Sequence, residues 1–365
     1  MPLATVKILL PMLLLLASAS GPAGHGIAGE PQQITRIAFG SCSRQSSKQP
    51  LWKPINAARP ELFLFLGDNI YGDTDNMETL RKKYAQQDAV AGYQQLRRHT
   101  RVLATWDDHD FGRNDAGAEY EQRAASQQVF LDFFREPEDS ERRKQQGVFG
   151  EWQFGEPGSV VQVILLDTRY HRSALSDLPK RKWPRGKDYL GPYQPSIDPN
   201  ATILGESQWQ WLREKLRKPA DLRVLGTSIQ LIPNAHAWEK WGNFPAERKR
   251  FFQLIRETRA NGIVLLSGDR HHAEVSCMPA DHPSHGVGYP IYEFTSSGLT
   301  HSRKSSPDSL DTHRIHPVFR EKNFGLIQIN WATRALTIEI RNDMGKPAIT
   351  TNIGIDELIF PASNR

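Results

Sequence analysis

Two apolar runs that each end at Gly-Asp carry the chemistry of this chain. Leu62–Gly67 leads into Asp68, Asn69, Tyr71 and Asp73, and Ile263–Leu266 leads through Gly268 into Asp269, His271, His272 and Glu274. Carboxylate, amide, phenol and imidazole gathered just past a buried strand are the groups that hold metals or carry protons. Open α/β sheets present such groups at the carboxyl ends of their strands. The pattern recurs. Ile34–Phe39 is followed by Cys42 and Ser43, and Val102–Trp106 by Asp107, Asp108, His109, Asp110, Arg113, Asn114 and Asp115. Val160–Leu166 is followed by Asp167 and Arg169, and Asn234 and His236 mark a further polar turn. Carboxylates at this density repel one another and raise each other's pKa unless cations neutralise them. A metal site built from several strand ends is therefore expected.

Taken singly, each piece has an ordinary explanation. A Gly-Asp after a strand is often a turn or a helix N-cap. His109 alone would more often be a core histidine than a ligand, Trp106, Tyr84 and Phe111 are most simply packing residues, and Asp115 before Ala116-Gly117 reads as a turn. The case rests on joint occurrence, because turn chemistry does not place so many ligand types at successive strand ends.

The elements that must position these groups alternate. Strands are expected at Ile34–Phe39, Leu62–Leu66, Val102–Trp106, Val160–Leu166, Arg223–Thr227 and Ile263–Leu266, and helices at Met77–Arg98, Gln127–Phe134, Glu206–Arg217 and Ala246–Ala260. Trp209, Leu212 and Leu216 recur at helical spacing and belong to the core. Strands alternating with helices indicate an α/β fold. Toward the end, Tyr292–Thr295, Leu326–Trp331 and Ala335–Ile340 follow one another without long helices, the last two as a hairpin through Ala332-Thr333-Arg334. These are expected to be antiparallel additions to the main sheet or a second sheet. Ser173–Asn200, rich in Pro, Lys, Arg, Gly and Tyr, reads as an insertion near the mouth of the site.

At 38% hydrophobic and 24% charged residues, the composition is that of a globular protein. The net charge of +5 comes from scattered residues rather than a basic stripe, so no nucleic-acid-binding patch is indicated. Lys7, the apolar stretch Ile8–Leu16 interrupted by Pro11, and Ala17-Ser18-Ala19 have the layout of a Sec-type signal peptide. The expected organisation is a signal peptide over 1–19, a flexible lead-in over 20–33 and one catalytic domain over 34–365, with export and no stable membrane anchor. Cys42 and Cys277 are the only cysteines. In an exported protein they invite a disulfide, yet Cys42 sits where the other strands present their ligands, and a thiolate there could bind metal.

Gly67-Asp68-Asn69-Ile70-Tyr71 resembles the Gly-Asp-x-x-Tyr motif of metallophosphoesterases of the purple acid phosphatase type. With Phe39-Gly40-Ser41-Cys42-Ser43, Trp106-Asp107-Asp108-His109-Asp110 and Ser267-Gly268-Asp269-Arg270-His271-His272, the ordered set resembles the alkaline phosphatase D (PhoD-like) family over Ile34 to Ile340. The resemblance implies a metallophosphoesterase-like four-layer α/β/β/α sandwich with mixed sheets. It also implies phosphomonoesterase or phosphodiesterase activity with Fe(III) and Ca²⁺ or another divalent ion, acting on a small phosphate ester or phosphodiester. Carried over by motif, Cys42, Asp68, Tyr71 and His271 would hold the ferric ion, with Asp68 bridging to a second metal at Asp108, Asp269 and Asn114. Spacing from Asp269 favours His271 over His272, since residues two apart share a strand face. His109 would protonate the leaving oxygen or bind phosphate, and Arg113 and Arg169 would clamp the phosphate. Three other readings remain at this stage: a phospholipase-C-like hydrolase of lipid head groups, a non-catalytic phosphate- or metal-binding surface protein, and a disulfide-stabilised binding domain joining Cys42 to Cys277.

Overall fold

Strands whose side chains alternate between two apolar surroundings build the centre of this protein. The computed structural model describes Met1 and residues 33–179, 190–304 and 310–361. Apart from Met1, the expected signal peptide lies outside the described residues, as does the lead-in except for its last residue. So does 180–189 of the expected insertion.

In chain order the elements begin β1 (Arg36–Gly40), α1 (Trp52–Ala58), β2 (Leu62–Leu66), α2 (Met77–Asp88), α3 (Ala91–His99), β3 (Arg101–Thr105), α4 (Asp108–Phe111), α5 (Arg123–Phe133) and α6 (Glu141–Lys144). They continue with β4 (Gly150–Phe154), β5 (Val161–Leu165), β6 (Ser176–Asp177), β7 (Tyr193–Gln194), α7 (Gly205–Leu216), β8 (Leu222–Gly226), α8 (Pro245–Thr258) and β9 (Ile263–Ser267). The chain ends in β10 (Ala273–Met278), β11 (Ile291–Ser296), β12 (Phe324–Asn330), β13 (Ala335–Arg341) and β14 (Pro347–Gly354). One six-stranded sheet has the order β14-β13-β12-β1-β2-β3 and a second β10-β11-β9-β8-β5-β4, while β6 and β7 pair as a small ribbon. Both large sheets are mixed. β1, β2 and β3 run parallel and β12 lies antiparallel to β1. In the second sheet β5, β8, β9 and β11 are parallel, with β4 and β10 antiparallel at the edges.

The period of two in β2 shows how the layers form. Leu62, Leu64 and Leu66 face the other sheet in one apolar cluster with Val163, Leu165, Val224 and Leu265. Phe63 and Phe65 point the opposite way, into a cluster with α1, α2, α3 and α5. Trp52 of α1 meets both phenylalanines edge-on, at 5.4 and 5.9 Å between ring centroids. On the far side, Trp209, Leu212, Phe252 and Ile255 of α7 and α8 cover the second sheet. The result is the expected four-layer α/β/β/α sandwich. Central strands such as β9 are buried throughout because both faces are covered.

The single helix expected over Met77–Arg98 is two helices, broken at Ala89-Val90. Val90 takes extended backbone as the N-cap of α3. The break lets Gly92 seat against Trp52, where an added Cβ would lie 2.5 Å from the Trp52 Cβ. The Asn56 side chain donates to the Gly92 carbonyl at 2.9 Å. No expectation covered α1, β4, β10 or β14. No helix among the described residues is long and apolar enough to cross a membrane.

β1 and β12 meet with Phe39 directly opposite Gly325, and the Phe39 ring fills the space where a Cβ at residue 325 would sit, 2.0 Å from its Cζ. Gly325→Ala is expected to overpack this junction and destabilise the protein by about 1–3 kcal/mol, read as a lower urea midpoint with an unchanged slope.

Candidate metal centre

The loops after β1, β2, β3, β9 and β11 converge, and much of their backbone is in the left-handed region. Cys42 (φ 62°), Asp68 (51°), Asp73 (44°), Asp115 (53°), Asp269 (65°) and His271 (54°) all adopt it. Such conformations cost on the order of 1–3 kcal/mol each for non-glycine residues and gather at functional sites. Asp110 is the clamp that sets two of these loops together. Its carboxylate accepts from the Asp107 amide (2.7 Å), the Asp68 amide (3.2 Å), the Asn69 amide (3.3 Å) and the Asn69 side chain (2.5 Å). Gly67 sits at the same joint, with φ 98° and room for no Cβ against Asp107.

On one side of Asp68, its Oδ2 lies 3.3 Å from Cys42 Sγ, and ligand atoms of Cys42, Asp68 and His271 all fall within 4.8 Å of one another. Tyr71 Oη is 3.1 Å from His271 Nε2 and 3.0 Å from His301 Nε2, and the two imidazole nitrogens are 3.2 Å apart. Burial pushes the Cys42 thiol, the Tyr71 phenol and the Asp68 carboxyl well above their ordinary pKa values, and neighbouring acids add to each rise. His271 is held neutral, pushed down to about 2 by burial and by His301, Arg303 and Arg270.

On the other side, Asp68, Asp108 and His109 also place ligand atoms within 4.8 Å. Asp68 is thus common to both groups. Asp108 is fixed by the Asp115 amide on Oδ2 (2.8 Å) and the His109 amide on Oδ1 (2.9 Å). Burial opposes its charge, but His109 and Arg169 bring it down to about 2. Asp269 stands near enough to Asp107 and Asp108 that burial and these charges push it up to about 7. The His109 ring stacks 4.1 Å from Tyr71, and its Nδ1 is 2.6 Å from Asp73 Oδ1. Burial alone would lower its pKa, but Asp68, Asp108 and Asp73 carry it up to about 11. Cations held at Asp68 and Asp108 would take up the same negative charge and leave Asp73 as the partner of His109.

Other expected residues stand differently. Arg113 and Asn114 are exposed and line an open cleft of about 470 Å³ with Asp73, Thr74, Asp75 and His109. Arg113 pairs with Asp75 (3.1 Å), and the Asn114 amide donates to Asp115 Oδ2 (2.8 Å), outside both compact groups. Arg169 does not stand where a phosphate clamp must. It is fully buried, with Nε donating to Asp107 Oδ1 (2.6 Å) and Nη1 to Glu239 Oε1 (2.9 Å). Arg172 Nε meets Glu239 at 2.9 Å, so two arginines and two carboxylates close a buried network behind the centre. His272 turns away from the centre, with Nε2 3.3 Å from Glu274. Cys42 and Cys277 are both free thiols. Tyr193, from the described part of the expected insertion, reaches Asp115 with its hydroxyl at 2.6 Å.

His301 escaped the sequence reading because no apolar run ending in Gly-Asp precedes it. Asp73 and Asp110 were visible, but nothing in their spacing separated a partner of His109 or a backbone clamp from a ligand. The donor set fits bound cations. A buried thiol, phenol and carboxyl with raised pKa values, beside neutral imidazoles, become stable anions once a cation stands among them.

A family model described as "PhoD-like phosphatase" matches residues 37–340. Alkaline phosphatase D of Bacillus subtilis (strain 168) is 24% identical over 331 residues, covering 79% of this chain and 54% of the relative. The chain thus spans about half the length of the curated relative it matches. A solved structure of PhoD superposes with a TM-score of 0.68 at 18% identity, covering 89% of this chain and 70% of that one. GAP50, the anchor in the inner membrane complex of Plasmodium, gives 0.56 at 10% identity, with 91% of both chains covered. A dimetal phosphatase from Danio rerio gives 0.51 at 12%, covering 89% of this chain and 100% of that one. These structural likenesses establish the fold.

Removing Arg169 leaves Asp107 and Glu239 buried beside too little positive charge. Arg169→Met is expected to cost about 3–5 kcal/mol, measured as a drop in the unfolding midpoint, and thiol titration of the denatured wild type should find both cysteines free.

Proposed function

We propose that this chain, which belongs to the PhoD-like phosphatase family, is an exported, metal-dependent hydrolase of small phosphoric monoesters or diesters. The observation that carries the reading is Asp68, shared between two donor groups of different chemistry. A fold alone does not decide activity, and the same architecture occurs in GAP50, named as an anchor. What supports catalysis is that Cys42, Asp68 and His271 on one side, and Asp68, Asp108 and His109 on the other, come together around one carboxylate.

The thiol of Cys42, the phenol of Tyr71 and the imidazole of His271 would hold Fe(III) on one side of Asp68. Asp108 and Asp269, with Asn114 at the cleft, offer the oxygen-rich donors that suit Ca²⁺. Such cations, when bound, supply charge neutralisation at the phosphoryl oxygens and a more acidic water. The rest falls to the chain. Arg113 faces the cleft, and by leaving Asp75 its planar guanidinium can take two phosphate oxygens at once. His109 lines the same cleft. Asp73 occupies its Nδ1, which leaves Nε2 to deliver a proton to the departing alkoxide. The Tyr71 ring beneath it and the Asp73 carboxylate beside it hold the imidazole in one orientation. Arg169 serves from behind by fixing Asp107 and the start of α4, on which Asp108 and His109 sit.

Two variants separate the roles. Asp68→Ala should lose most bound metal by elemental analysis, and wild-type metal content in this variant would sink the shared-ligand assignment. His109→Ala should keep its metal while turnover of an alkyl phosphate falls about 10²–10⁴-fold. Undiminished turnover would remove His109 from the mechanism.

A further inference from the structure

Beside the metal centre, two guanidinium groups share one indole. Arg270 Cζ stands 5.6 Å from the Trp238 ring centre, and Arg303 Cζ 5.1 Å from the same ring. Both are tied to the centre through the backbone. Arg270 lies between Asp269 and His271 in sequence, and the Arg303 amide donates to the His271 carbonyl at 2.8 Å.

Two guanidinium groups against one ring make an electropositive surface that an anion would satisfy. The Arg270 side chain is only 10% exposed, and its Nε is buried without a hydrogen-bond partner. Its nearest carboxylate, Asp269, is 3.8 Å away and belongs to the proposed metal donors. The other acids that act on Arg270 are engaged elsewhere, Glu274 by Arg314 at 2.7 Å and Asp115 by Tyr193 at 2.6 Å. Among the described residues no carboxylate pairs with Arg303, which is exposed. Burial and the neighbouring Arg303 both work against the Arg270 charge.

We propose that Arg270 and Arg303, set on Trp238, form a subsite for a second anionic group of the substrate, so that esters carrying another phosphate or carboxylate are preferred. This rests on the metal-centre reading above, which supplies the position of the scissile phosphate. The indole orders both guanidinium planes through cation–π contact, and a planar fork then matches an oxyanion in bidentate fashion. The subsite does no chemistry. It orients the far end of the substrate.

The test compares two esters on the metal-loaded enzyme, 3-hydroxypropyl phosphate and propane-1,3-diyl bisphosphate, which differ only in the second phosphate. The wild type is expected to show a KM about tenfold lower for the bisphosphate, as a charge-assisted contact provides. Arg303→Gln should bring that ratio near unity, and Arg303→Lys should restore part of it. Residue 303 is exposed, so these substitutions spare the fold. Equal KM values in the wild type, or a preference that survives Arg303→Gln, would overturn the subsite. Failure of the wild type to hydrolyse either ester would strike at the metal-centre reading instead. Equilibrium titration with the same two esters then decides the subsite: a bisphosphate preference abolished by Arg303→Gln upholds it, and equal binding refutes it.

Discussion

Negative charge that cannot reach water governs the junction between the two sheets. Asp68, Asp107, Asp108 and Asp110 are buried there and Asp269 is nearly so, and a low-dielectric interior does not tolerate that many carboxylates without compensation. The protein sorts them. Asp107 is neutralised by Arg169, and Asp110 is surrounded by amide donors. Asp68 and Asp269 are left without a sufficient internal partner, while Asp108 keeps its charge through His109 and Arg169. The buried arginines therefore matter as much as the ligands, because they determine which acids remain available.

The backbone reflects the same demand. Left-handed residues let a short loop turn sharply enough that Cys42, Asp68 and His271 bring ligand atoms within 4.8 Å of one another from different strands. Conformations of that kind persist where surrounding contacts over-determine them. Here the contacts are the Asp110 clamp, the Gly67 joint and the tie from the Cys42 carbonyl to the Thr300 hydroxyl at 2.9 Å. A cation would add to this over-determination and link the stability of the loops to metal occupancy.

The central strands were legible because burial on both faces leaves long apolar runs, unbroken in β2, ended by Ser267 in β9 and interrupted by Gln162 alone in β5. Their polar endings were legible for the same reason, since a carboxylate is conspicuous after five apolar residues. Edge elements were not. β14 alternates exposed and buried positions, and β4 carries Glu, Trp and Gln among its five residues. The break between α2 and α3 depends on Trp52, a contact far away in sequence that helical periodicity does not register. Arg169 looked like a ligand for phosphate because nothing local announces Glu239, the carboxylate that meets it from seventy residues downstream. His301 lies in a loop five residues past β11 and reaches Tyr71 only through the tertiary fold.

The pairing of β1 with β12 has a consequence for the order of events during synthesis. The parallel trio β1, β2 and β3 emerges early, yet β12, which covers one edge of β1, comes from near the far end of the chain. A nascent chain must hold an apolar, unpaired strand edge until most of the polypeptide exists, the situation in which slow, non-local pairing exposes a chain to aggregation. The donors are dispersed in the same way, from Cys42 to His301. A stalled or shortened product would contain most of the candidate ligands without the loops that bring them together, and any ion held there would have to enter after those loops had met.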